Sequence, residues 1–510
     1  MNLQSFLQVP WGIMAPEITI FTTAVLLLIA DLVIDKALPR RTFVWPALAG
    51  IAVAFVICLA QIGTPVTSIW FGAYRVDAFA LAFKLLLLVG TGFVLLLSCR
   101  DERPGELSER AEFYFLLLSA LTGAMMLTSS ADLITLFVSL ELLSLSSYLL
   151  AGLHKSDRSS NEAAFKYIVN GGIATAVILF GMSYLYGFSG STNLYAISEV
   201  FNADAHHPVV FDERFLLVFA FILLFAGLSF KLATVPFHMW APDVYEGAPT
   251  SVTAFLSVVS KTAGFALLFR LMLVAFLHAP GAAVSSSAGP ESIFTTVQPY
   301  LAVLAAAAMI YGNTAALKQT NIKRLFAYSG IAQAGYVLVP FVCLTQLTLT
   351  NVWFYLAAYL FTNLGAFAVI QAVSSRENSS QLKTYDGLYS RSPFAAVALA
   401  VFLVSLAGIP FTSGFVAKFD VFVEALFSDH YALASIMIAT TVIAYFYYFV
   451  VMAKMFLRPS ASSGRWMLPP AAGIVAVICL IATIGIGIFP STVLGFLHDH
   501  FPLAELFKKG

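Results

Sequence analysis

Charged residues are scarce in this chain. Only 11% of its 510 residues are charged, against about 25% in a typical soluble protein, and 60% are hydrophobic. A deficit of this size along the whole length excludes an ordinary soluble domain and predicts a polytopic membrane protein. The 27 basic and 27 acidic residues balance, so the composition gives no indication of nucleic-acid binding.

Cysteine is equally scarce. The four cysteines lie far apart in or at the ends of apolar runs, without CxxC or metal-ligand spacing: Cys58, Cys99, Cys343 and Cys479. They are interpreted as packing residues.

A Gly-rich dinucleotide fingerprint is absent too, so we expect this chain to bind no NADH, iron–sulfur cluster or metal. No basic region precedes the first apolar run, so we expect no cleavable signal peptide.

Long apolar runs fill the sequence. A membrane-spanning helix needs about 20 mostly apolar residues, and fourteen runs qualify: 14–35, 43–63, 77–98, 112–128, 132–153, 164–187, 215–245, 249–276, 298–317, 323–345, 351–374, 394–428, 431–457 and 470–490. Runs 215–245 and 394–428 would be roughly 46 and 52 Å long as straight helices. Each contains a central proline, Pro236 and Pro410, which removes a backbone donor. We therefore predict an all-α polytopic membrane protein of about 14 helices, two of them discontinuous.

Basic residues concentrate in alternate loops. They follow runs 1, 3, 5, 9, 11 and 13: Lys36, Arg40, Arg41, Arg100, Arg103, Arg110, Lys155, Arg158, Lys318, Lys323, Arg324, Arg376, Lys383, Arg391, Arg458 and Arg465. The opposite loops hold few, although Lys508 and Lys509 occupy the tail. The loop after run 7 is the exception to the alternation, because it has no Lys or Arg. Because cytoplasmic loops carry the excess of Lys and Arg, both termini are predicted on the outer, periplasmic side of a bacterial inner membrane.

A short internal repeat accompanies the two prolines. LATVPF (232–237) matches LAGIPF (406–411), and the predicted orientation places the two copies in oppositely directed helices. Paired broken helices of opposite sense are typical of inverted-repeat transporters. Six residues can match by chance, but the shared setting of over-long, proline-broken runs favours a true repeat.

Three lysines lie deep in apolar runs, far from the basic clusters: Lys231, Lys261 and Lys418. A charge at the bilayer centre costs at least about 2.5–3.5 kcal/mol. Such a lysine must face protein or water, find a partner, or release its proton, and unlike arginine it can exchange protons. The residues therefore favour proton carriers, with structural ion pairing as the alternative.

Glu141 supplies the matching buried carboxylate, since no other acid lies within eight residues. A Glu–Lys pair on neighbouring helices can act as a gate, because separating the charges releases the lysine proton. Serines of the same run either line a hydrated path or serve helix packing: Ser139, Ser144, Ser146 and Ser147.

Four further residues have open interpretations. His238, beside the first break, is either a structural hydrogen-bonding residue or a proton relay. Lys166 is either interfacial or marks the start of a water path. A local ion pair or an anchor at the membrane interface explains Lys84 at least as well as a role in transport. Arg270 is expected to snorkel to the membrane surface.

These same residues carry a family resemblance. FKLATVPFHMWAPDVYEGAPTSVTAFLSVVSK resembles the central signature of the antiporter-like membrane subunits of respiratory complex I. LITLFVSLELLSLSSYLLAG, NEAAFKYIVNGGIATAVILFGMSYLYGFSG, KQTNIKRLFAYSGIAQAGYVLV and SLAGIPFTSGFVAKF agree, so that the likeness spans about residues 75–457. TNLGAFA, YDGLY and Lys418 are most similar to the subunit N branch. The chain departs from the family pattern at two places. The family often has a second proline at the position of Phe411, and Phe-Gly is common at the positions of Val416-Ala417.

The resemblance implies a division of the chain and a role for each buried charge. It implies helices 1–3 (residues 1–110), two inverted five-helix repeats (111–276 and 298–457), and helix 14 with a tail (470–510). It also implies Glu141 and Lys231 as a gating pair, Lys261 as the central proton carrier and Lys418 as the carrier toward the outer exit. Lys166 matches a family position near the start of the path.

The resemblance further implies a proton-translocating subunit of NADH:quinone oxidoreductase. It would lie among the other membrane-arm subunits, while partner subunits would hold NADH, FMN, the iron–sulfur clusters and quinone. The alternative is a cation/proton antiporter or a membrane-bound hydrogenase subunit of the same fold, and a scaffold that has lost pumping is a third class. Three costly buried lysines argue against the scaffold.

Overall fold

The computed structural model describes residues 10–33, 40–99, 111–204, 211–276, 279–285, 289–460 and 464–501. The sequence predictions on the two chain ends, and on six basic residues, lie outside the described residues: Lys36, Arg100, Arg103, Arg110, Lys508 and Lys509.

The described chain is built from helices, numbered here in chain order: α1 Ala15–Val33, α2 Val44–Ala60, α3 Ala78–Ser98, α4 Ala111–Ser129, α5 Leu133–Ala151, α6 Arg158–Ser189, α7 Leu194–Asp204, α8 Phe211–Leu232, α9 Trp240–Gly247, α10 Thr250–Ala275, α11 Ile293–Ala316, α12 Ile322–Cys343, α13 Thr348–Glu377, α14 Leu388–Arg391, α15 Pro393–Ala407, α16 Ser413–Phe427, α17 Tyr431–Leu457, α18 Pro470–Ile488 and α19 Pro490–His500. Short 3₁₀ turns occupy Trp11–Met14, Arg40–Phe43 and Leu382–Tyr385. Two small antiparallel hairpins pair Thr67–Ile69 (β1) with Tyr74–Val76 (β2), and Pro280–Ser285 (β3) with Gly289–Ser292 (β4).

Most of these helices are built to cross a membrane. Among the described residues, twelve are long and apolar enough to do so, and α2 and α15 are shorter apolar helices. The prediction of an all-α polytopic membrane protein is confirmed. The count of fourteen spanning helices and the inverted five-helix repeats stay predictions.

Three helices form the interior. The apolar window of α10 is 100% buried, and those of α12 and α13 are each 94% buried, whereas only a third of the corresponding windows of α6, α11 and α17 is buried. The outer helices therefore direct apolar side chains outward, as contact with lipid requires. Polar groups within these buried windows of α10, α12 and α13 therefore lie inside the protein and need partners there.

Both over-long apolar runs are interrupted at their prolines. The chain leaves the helical conformation between α8 and α9, around Pro236, and again between α15 and α16, around Pro410. Left-handed backbone conformations mark the two turns, at Ala233 (φ 57°) in the first and at Gly408 (φ 82°) and Phe411 (φ 70°) in the second. Proline removes the donor that would continue each helix, so the residues before each turn present free carbonyl groups inside the protein.

The buried helix α10 contains two π-helical turns, Leu256–Ser260 and Leu271–Ala275. The first ends directly before Lys261. Single π turns inside α-helices occur frequently at functional sites, because they leave the regular hydrogen-bond ladder incomplete.

Candidate functional site

The first break leaves Lys231 next to the end of α8. The residue is only 3% exposed, and its Nζ donates to the Oγ of Ser144 on α5 at 3.2 Å. Trp240, which begins α9, folds back so that its indole N–H donates to the carbonyl oxygen of Phe230 at 2.9 Å. The same carbonyl also accepts the backbone N–H of Ala233 at 3.0 Å, so it has two donors at the end of α8. The break therefore holds a buried lysine against a neutral hydroxyl group.

Glu141 lies one helical turn before Ser144 on α5. Its Oε1 is buried and has no hydrogen-bond partner among the described residues. Because residues three apart share a helix face, Glu141 lies on the same side of α5 as Ser144, the side that Lys231 contacts. Glu141 is half-buried, and within the described residues the predicted gating pair forms no ion pair within 4.0 Å. Two of the other predicted path serines bond to carbonyl groups of their own helix, Ser139 to Thr135 and Ser147 to Leu143.

Lys261 lies at the centre of the interior. Its Nζ donates to the backbone oxygen of Gly330 on α12 at 2.7 Å. A Cβ atom at position 330 would lie 2.9 Å from that Nζ and 3.3 Å from the hydroxyl of Tyr359, so the close approach depends on glycine. A carbonyl group accepts a hydrogen bond from an amine as well as from an ammonium group, so this contact is available in both protonation states of the lysine.

The second break is closed by its own lysine. Lys418, on the first turns of α16, reaches back across the break and donates to the backbone oxygens of Leu406 at 2.8 Å and Ala407 at 3.4 Å. The ammonium group also lies 4.7 Å from the ring centroid of Tyr336. A positive charge at the carboxyl end of α15 is favourable, because the free carbonyl groups there carry partial negative charge.

A polar line along α12 joins the surroundings of Lys261 and Lys418. Gln333 lies one turn after Gly330 on α12, and its Nε2 donates to the oxygen of Leu406 at 3.2 Å, the same carbonyl that Lys418 contacts. Tyr355 on α13 donates in turn to the Oε1 of Gln333. The two central lysines are therefore connected through one buried amide side chain and one turn of α12.

A small cavity of about 10 Å³ lies against this line, enough for about one water molecule. Its lining combines Gln333, Tyr355 and Lys418 with two hydroxyl groups, those of Thr362 and Ser405, which are 3.0 Å apart. Within the described chain, no three His, Cys, Asp or Glu side chains are arranged to hold a metal ion. The arrangement suits the movement of protons between amine, amide and hydroxyl groups.

An ionic network covers one end of the site. Lys166 contacts Glu162 at 2.7 Å and Asp243 at 2.6 Å, and Arg324 contacts Asp243 at 2.7 Å and Glu246 at 2.9 Å. These side chains are partly exposed, which agrees with their positions at helix ends. The network ties the beginnings of α6 and α12 to the short helix α9, just beyond the first break.

His238 lies within the first break and is 7% exposed. Its ring packs against that of Tyr311 on α11, with centroids 4.4 Å apart. Nδ1 is buried without a hydrogen-bond partner among the described residues. The structure thus places the imidazole in an aromatic contact, and the relay role stays a prediction.

Two basic residues have structural partners. Lys84 is fully buried and contacts Glu17 at 2.8 Å and the hydroxyl of Tyr74 at 3.0 Å, so its partner is on α1. The expectation that Arg270 snorkels to the membrane surface is wrong. The residue is 0% exposed and donates two hydrogen bonds to Asp77, at 2.7 and 2.8 Å, because that carboxylate at the start of α3 lies beside it.

Sequence reasoning missed three residues of this region. Gln333 and Tyr355 carry no charge, and nothing in their local sequence marks them. Glu424 on α16 was open to the argument that found Lys418, because it is an ionisable residue within the apolar run 394–428. It is 3% exposed and is held by hydroxyl and amide groups.

Comparisons with known proteins agree on one family. The family model described as "NADH:quinone oxidoreductase/Mrp antiporter, TM" matches residues 130–444. The NADH-quinone oxidoreductase subunit N of Geobacillus sp. (strain WCH70) is 47% identical over 501 residues, which cover 98% of this chain and 100% of that relative. A chain of respiratory complex I from Thermus thermophilus is 32% identical with a TM-score of 0.77, covering 94% of this chain and 99% of that one.

The fold is shared more widely than the sequence. A chain of the Mrp complex from Dietzia sp. DQ12-45-1b is only 20% identical, yet it superimposes with a TM-score of 0.81 over 100% of this chain and 98% of that one. That likeness concerns the fold alone, whereas the full-length identity to subunit N proteins is specific. This chain belongs to the NADH-quinone oxidoreductase subunit N family, within the NADH:quinone oxidoreductase/Mrp antiporter group of membrane proteins.

Proposed function

We propose that this chain carries protons across the membrane through its buried Lys and Glu side chains, as a subunit of NADH:quinone oxidoreductase that performs no redox step itself. The observation that carries the proposal is the polar line on α12. Gly330 binds Lys261 at 2.7 Å, and Gln333, one turn later, shares the carbonyl of Leu406 with Lys418. Ionisable groups buried in this way are costly in a membrane and are typical of proton pathways.

Lys231 is the switched residue in this scheme. Its amine contacts Ser144 at 3.2 Å, one turn from the unpartnered oxygen of Glu141. When Lys231 turns toward Glu141, the pair favours the ammonium form, and when it turns away toward Lys261 it gives up its proton. The left-handed turn at Ala233 follows two residues later, so a small backbone change at the break moves the side chain.

The proton enters near Lys166 and leaves beyond Lys418. Lys166 is held by Glu162 and Asp243 at the partly exposed end of the site, and His238 lies within the neighbouring first break. In the orientation given by the basic loops, this end faces the cytoplasm and both chain termini face the periplasm of a bacterial inner membrane. Repeats at 111–276 and 298–457 would then place the two broken helices in opposite directions.

Partner subunits supply the driving reaction. The relatives are named as subunits of NADH-quinone oxidoreductase, and one matched chain belongs to a respiratory complex I. We therefore infer that this chain lies among the other membrane-arm subunits, and that NADH, FMN, iron–sulfur clusters and quinone are bound elsewhere in the assembly.

The test is Lys261→Ala in the assembled complex. Vesicles containing the variant should show strongly reduced proton pumping on NADH addition, with slower electron transfer, because the central carrier is lost. Lys318→Ala is the matched control, since Lys318 is an exposed lysine between α11 and α12. Pumping would be followed by the quenching of a pH-sensitive dye, and quinone reduction by NADH absorbance.

An intact Lys231→Ala, Lys261→Ala double variant that pumps like the unmodified complex contradicts the proposal. A cation/proton antiporter would show a different result. Vesicles would then exchange sodium for protons without NADH, and the chain would not co-purify with an NADH-oxidising arm. The full-length identity to subunit N proteins favours the first outcome.

A further inference from the structure

A buried carboxylate on α16 has no part in the route described so far. Glu424 is 3% exposed and follows Lys418 by six residues, which is about 9 Å along a helix. It lies beyond the second break, on the part of α16 that leads from Lys418 to the end of the helix. Phe427, three residues further on, is 85% exposed. Glu424 therefore lies about one turn from a surface of the protein.

Neutral groups hold this carboxylate. The hydroxyl groups of Thr345 and Thr348 each donate to its Oε1 at 2.6 Å, and the amide of Asn351 donates to its Oε2 at 2.6 Å. Among the described residues, Glu424 forms no ion pair within 4.0 Å. A buried carboxylate without a cation is costly. Since a glutamine could fill the same space without a charge, packing does not explain why the side chain is ionisable.

The surrounding hydroxyl groups can serve both protonation states. Thr348 Oγ1 also lies 3.2 Å from the carbonyl oxygen of Pro340, and it accepts a hydrogen bond from the backbone N–H of Thr345 at 2.8 Å. Because a hydroxyl proton rotates freely, Thr348 can turn its proton to Pro340. Its oxygen then accepts a hydrogen bond from a protonated Glu424. Rotation of the Thr348 hydroxyl group alone therefore lets the site bind Glu424 either as a carboxylate or as a protonated acid.

A second acid lies on the same helix. Asp420 is half-buried and one turn before Glu424, between that residue and Lys418 in the sequence. An ordinary apolar half-helix gains nothing from two carboxylates in seven residues. Together with Lys418 they form a short series of ionisable groups that runs from the second break toward the exposed end of α16.

We propose that Glu424 is the last proton-carrying residue of this chain. The inference rests on the proposed function. Lys418 in its ammonium form loses one proton, directly or through Asp420 or water, and becomes a neutral amine, while the Glu424 carboxylate gains that proton and becomes a neutral acid. Glu424 then releases the proton to water at the end of α16, the predicted outer side, and returns to the carboxylate that its three donors bind.

Glu424→Gln in the assembled complex tests this directly. The glutamine oxygen can accept both threonine hydroxyl groups, and the amide of Asn351 can turn to accept from the new Nε2, so the hydrogen bonds survive while the exchangeable proton is lost. We expect assembly and thermal midpoint to stay unchanged and the protons pumped per NADH to fall several-fold. Glu424→Asp should restore part of the pumping. Glu112→Gln, an exposed carboxylate at the start of α4, is the matched control.

The alternative is that Glu424 only anchors α16 to α13. In that case Glu424→Gln pumps normally, and the inference is overturned. If Glu424→Gln does not assemble, Thr348→Val decides, because it leaves the carboxylate in place and removes the rotating hydroxyl group. Reduced pumping by the intact Thr348→Val complex supports the inference, and unchanged pumping overturns it. Lys261→Ala is measured in the same experiment. If the Lys261→Ala complex pumps normally, the proposed function is overturned as well. If Lys261→Ala abolishes pumping while Glu424→Gln pumps normally, only the present inference is overturned.

Discussion

The two broken helices use their lysines in different ways. Lys231 precedes its break, at the end of α8, and contacts a side-chain hydroxyl on another helix. Lys418 follows its break, on α16, and reaches back to two backbone carbonyl groups at the end of α15. The lysine therefore precedes the matching hexapeptide at the first break (232–237) and follows it at the second (406–411).

This difference means that the contact of Lys231 can change, whereas the contact of Lys418 is fixed. Ser144 is one rotatable hydroxyl group, and an unpartnered carboxylate oxygen of Glu141 lies one turn away, so Lys231 has a second position available. Lys418 instead donates to the oxygens of Leu406 and Ala407, in place of the backbone donors that the break removes. Under the proposed function, the first break suits a switch and the second suits a fixed station on the route.

The largest expected difference is between Lys418→Ala and Lys231→Ala. Both variants should lose pumping, but the loss of Lys418 also leaves a buried carbonyl group without a donor, which costs about 1–3 kcal/mol. The hydroxyl of Ser144 can return to a carbonyl of its own helix when Lys231 is removed. The thermal midpoint of the purified complex should therefore fall more for Lys418→Ala. Equal midpoints would remove the distinction between the two breaks.

Gly408→Ala should destabilise the second break by about 1–2 kcal/mol. The backbone at this position is left-handed, with φ of 82°, and a Cβ atom would lie 2.9 Å from Cδ of Lys418. Thermal midpoints and pumping should both decrease. Gly172→Ala on the exposed face of α6 is the control, since a Cβ atom there has no neighbour within 4 Å. A Gly408→Ala complex as stable as that control would show that Lys418 is not tightly held.

Ser144→Ala should have a smaller effect, about 0.5–1.5 kcal/mol for one lost hydrogen bond. Pumping should slow without stopping, because under the proposed function Lys231 can still turn toward Glu141. Ser147→Ala serves as the control, since that hydroxyl bonds to the Leu143 carbonyl of its own helix. Stopped-flow measurement of the pumping rate would compare them. Identical rates for the two variants would mean that Ser144 has no special part in holding Lys231.

Ala233→Gly should change least. Alanine at φ of 57° is strained by about 1–2 kcal/mol, and glycine relieves that strain but adds flexibility to the unfolded chain, which costs about 0.4–1 kcal/mol. The relief of strain is at least as large as this cost, so the thermal midpoint should stay unchanged or rise slightly. A marked loss of pumping at unchanged stability would show that the stiff turn itself directs Lys231.

Local sequence was sufficient for the breaks and the lysines. Hydrophobic run length and a central proline depend only on neighbouring residues, so both interruptions and the three deep lysines could be predicted from the printed sequence. The same argument applied to Glu424 would have found it, because its apolar surroundings are equally plain.

The partners of the charges could not be predicted in this way. Arg270 binds Asp77, 193 residues away, and Lys84 binds Glu17 on another helix. Which carboxylate faces which base depends on helix rotation and packing, and sequence spacing does not specify these. Gln333 and Tyr355 were missed for a related reason, since a neutral residue becomes part of a buried polar line only through its neighbours in space.

Helix α12 contacts three parts of the route. Its first turn holds α9 through the bond between Arg324 and Glu246, its middle binds Lys261 through Gly330, and Gln333 meets Lys418 at the carbonyl of Leu406. These contacts lie along one stiff rod, so a slide of α12 by a single residue, about 1.5 Å, alters all three together. One movement of α12 along its axis therefore changes the contacts of Lys261 and Lys418 at the same time.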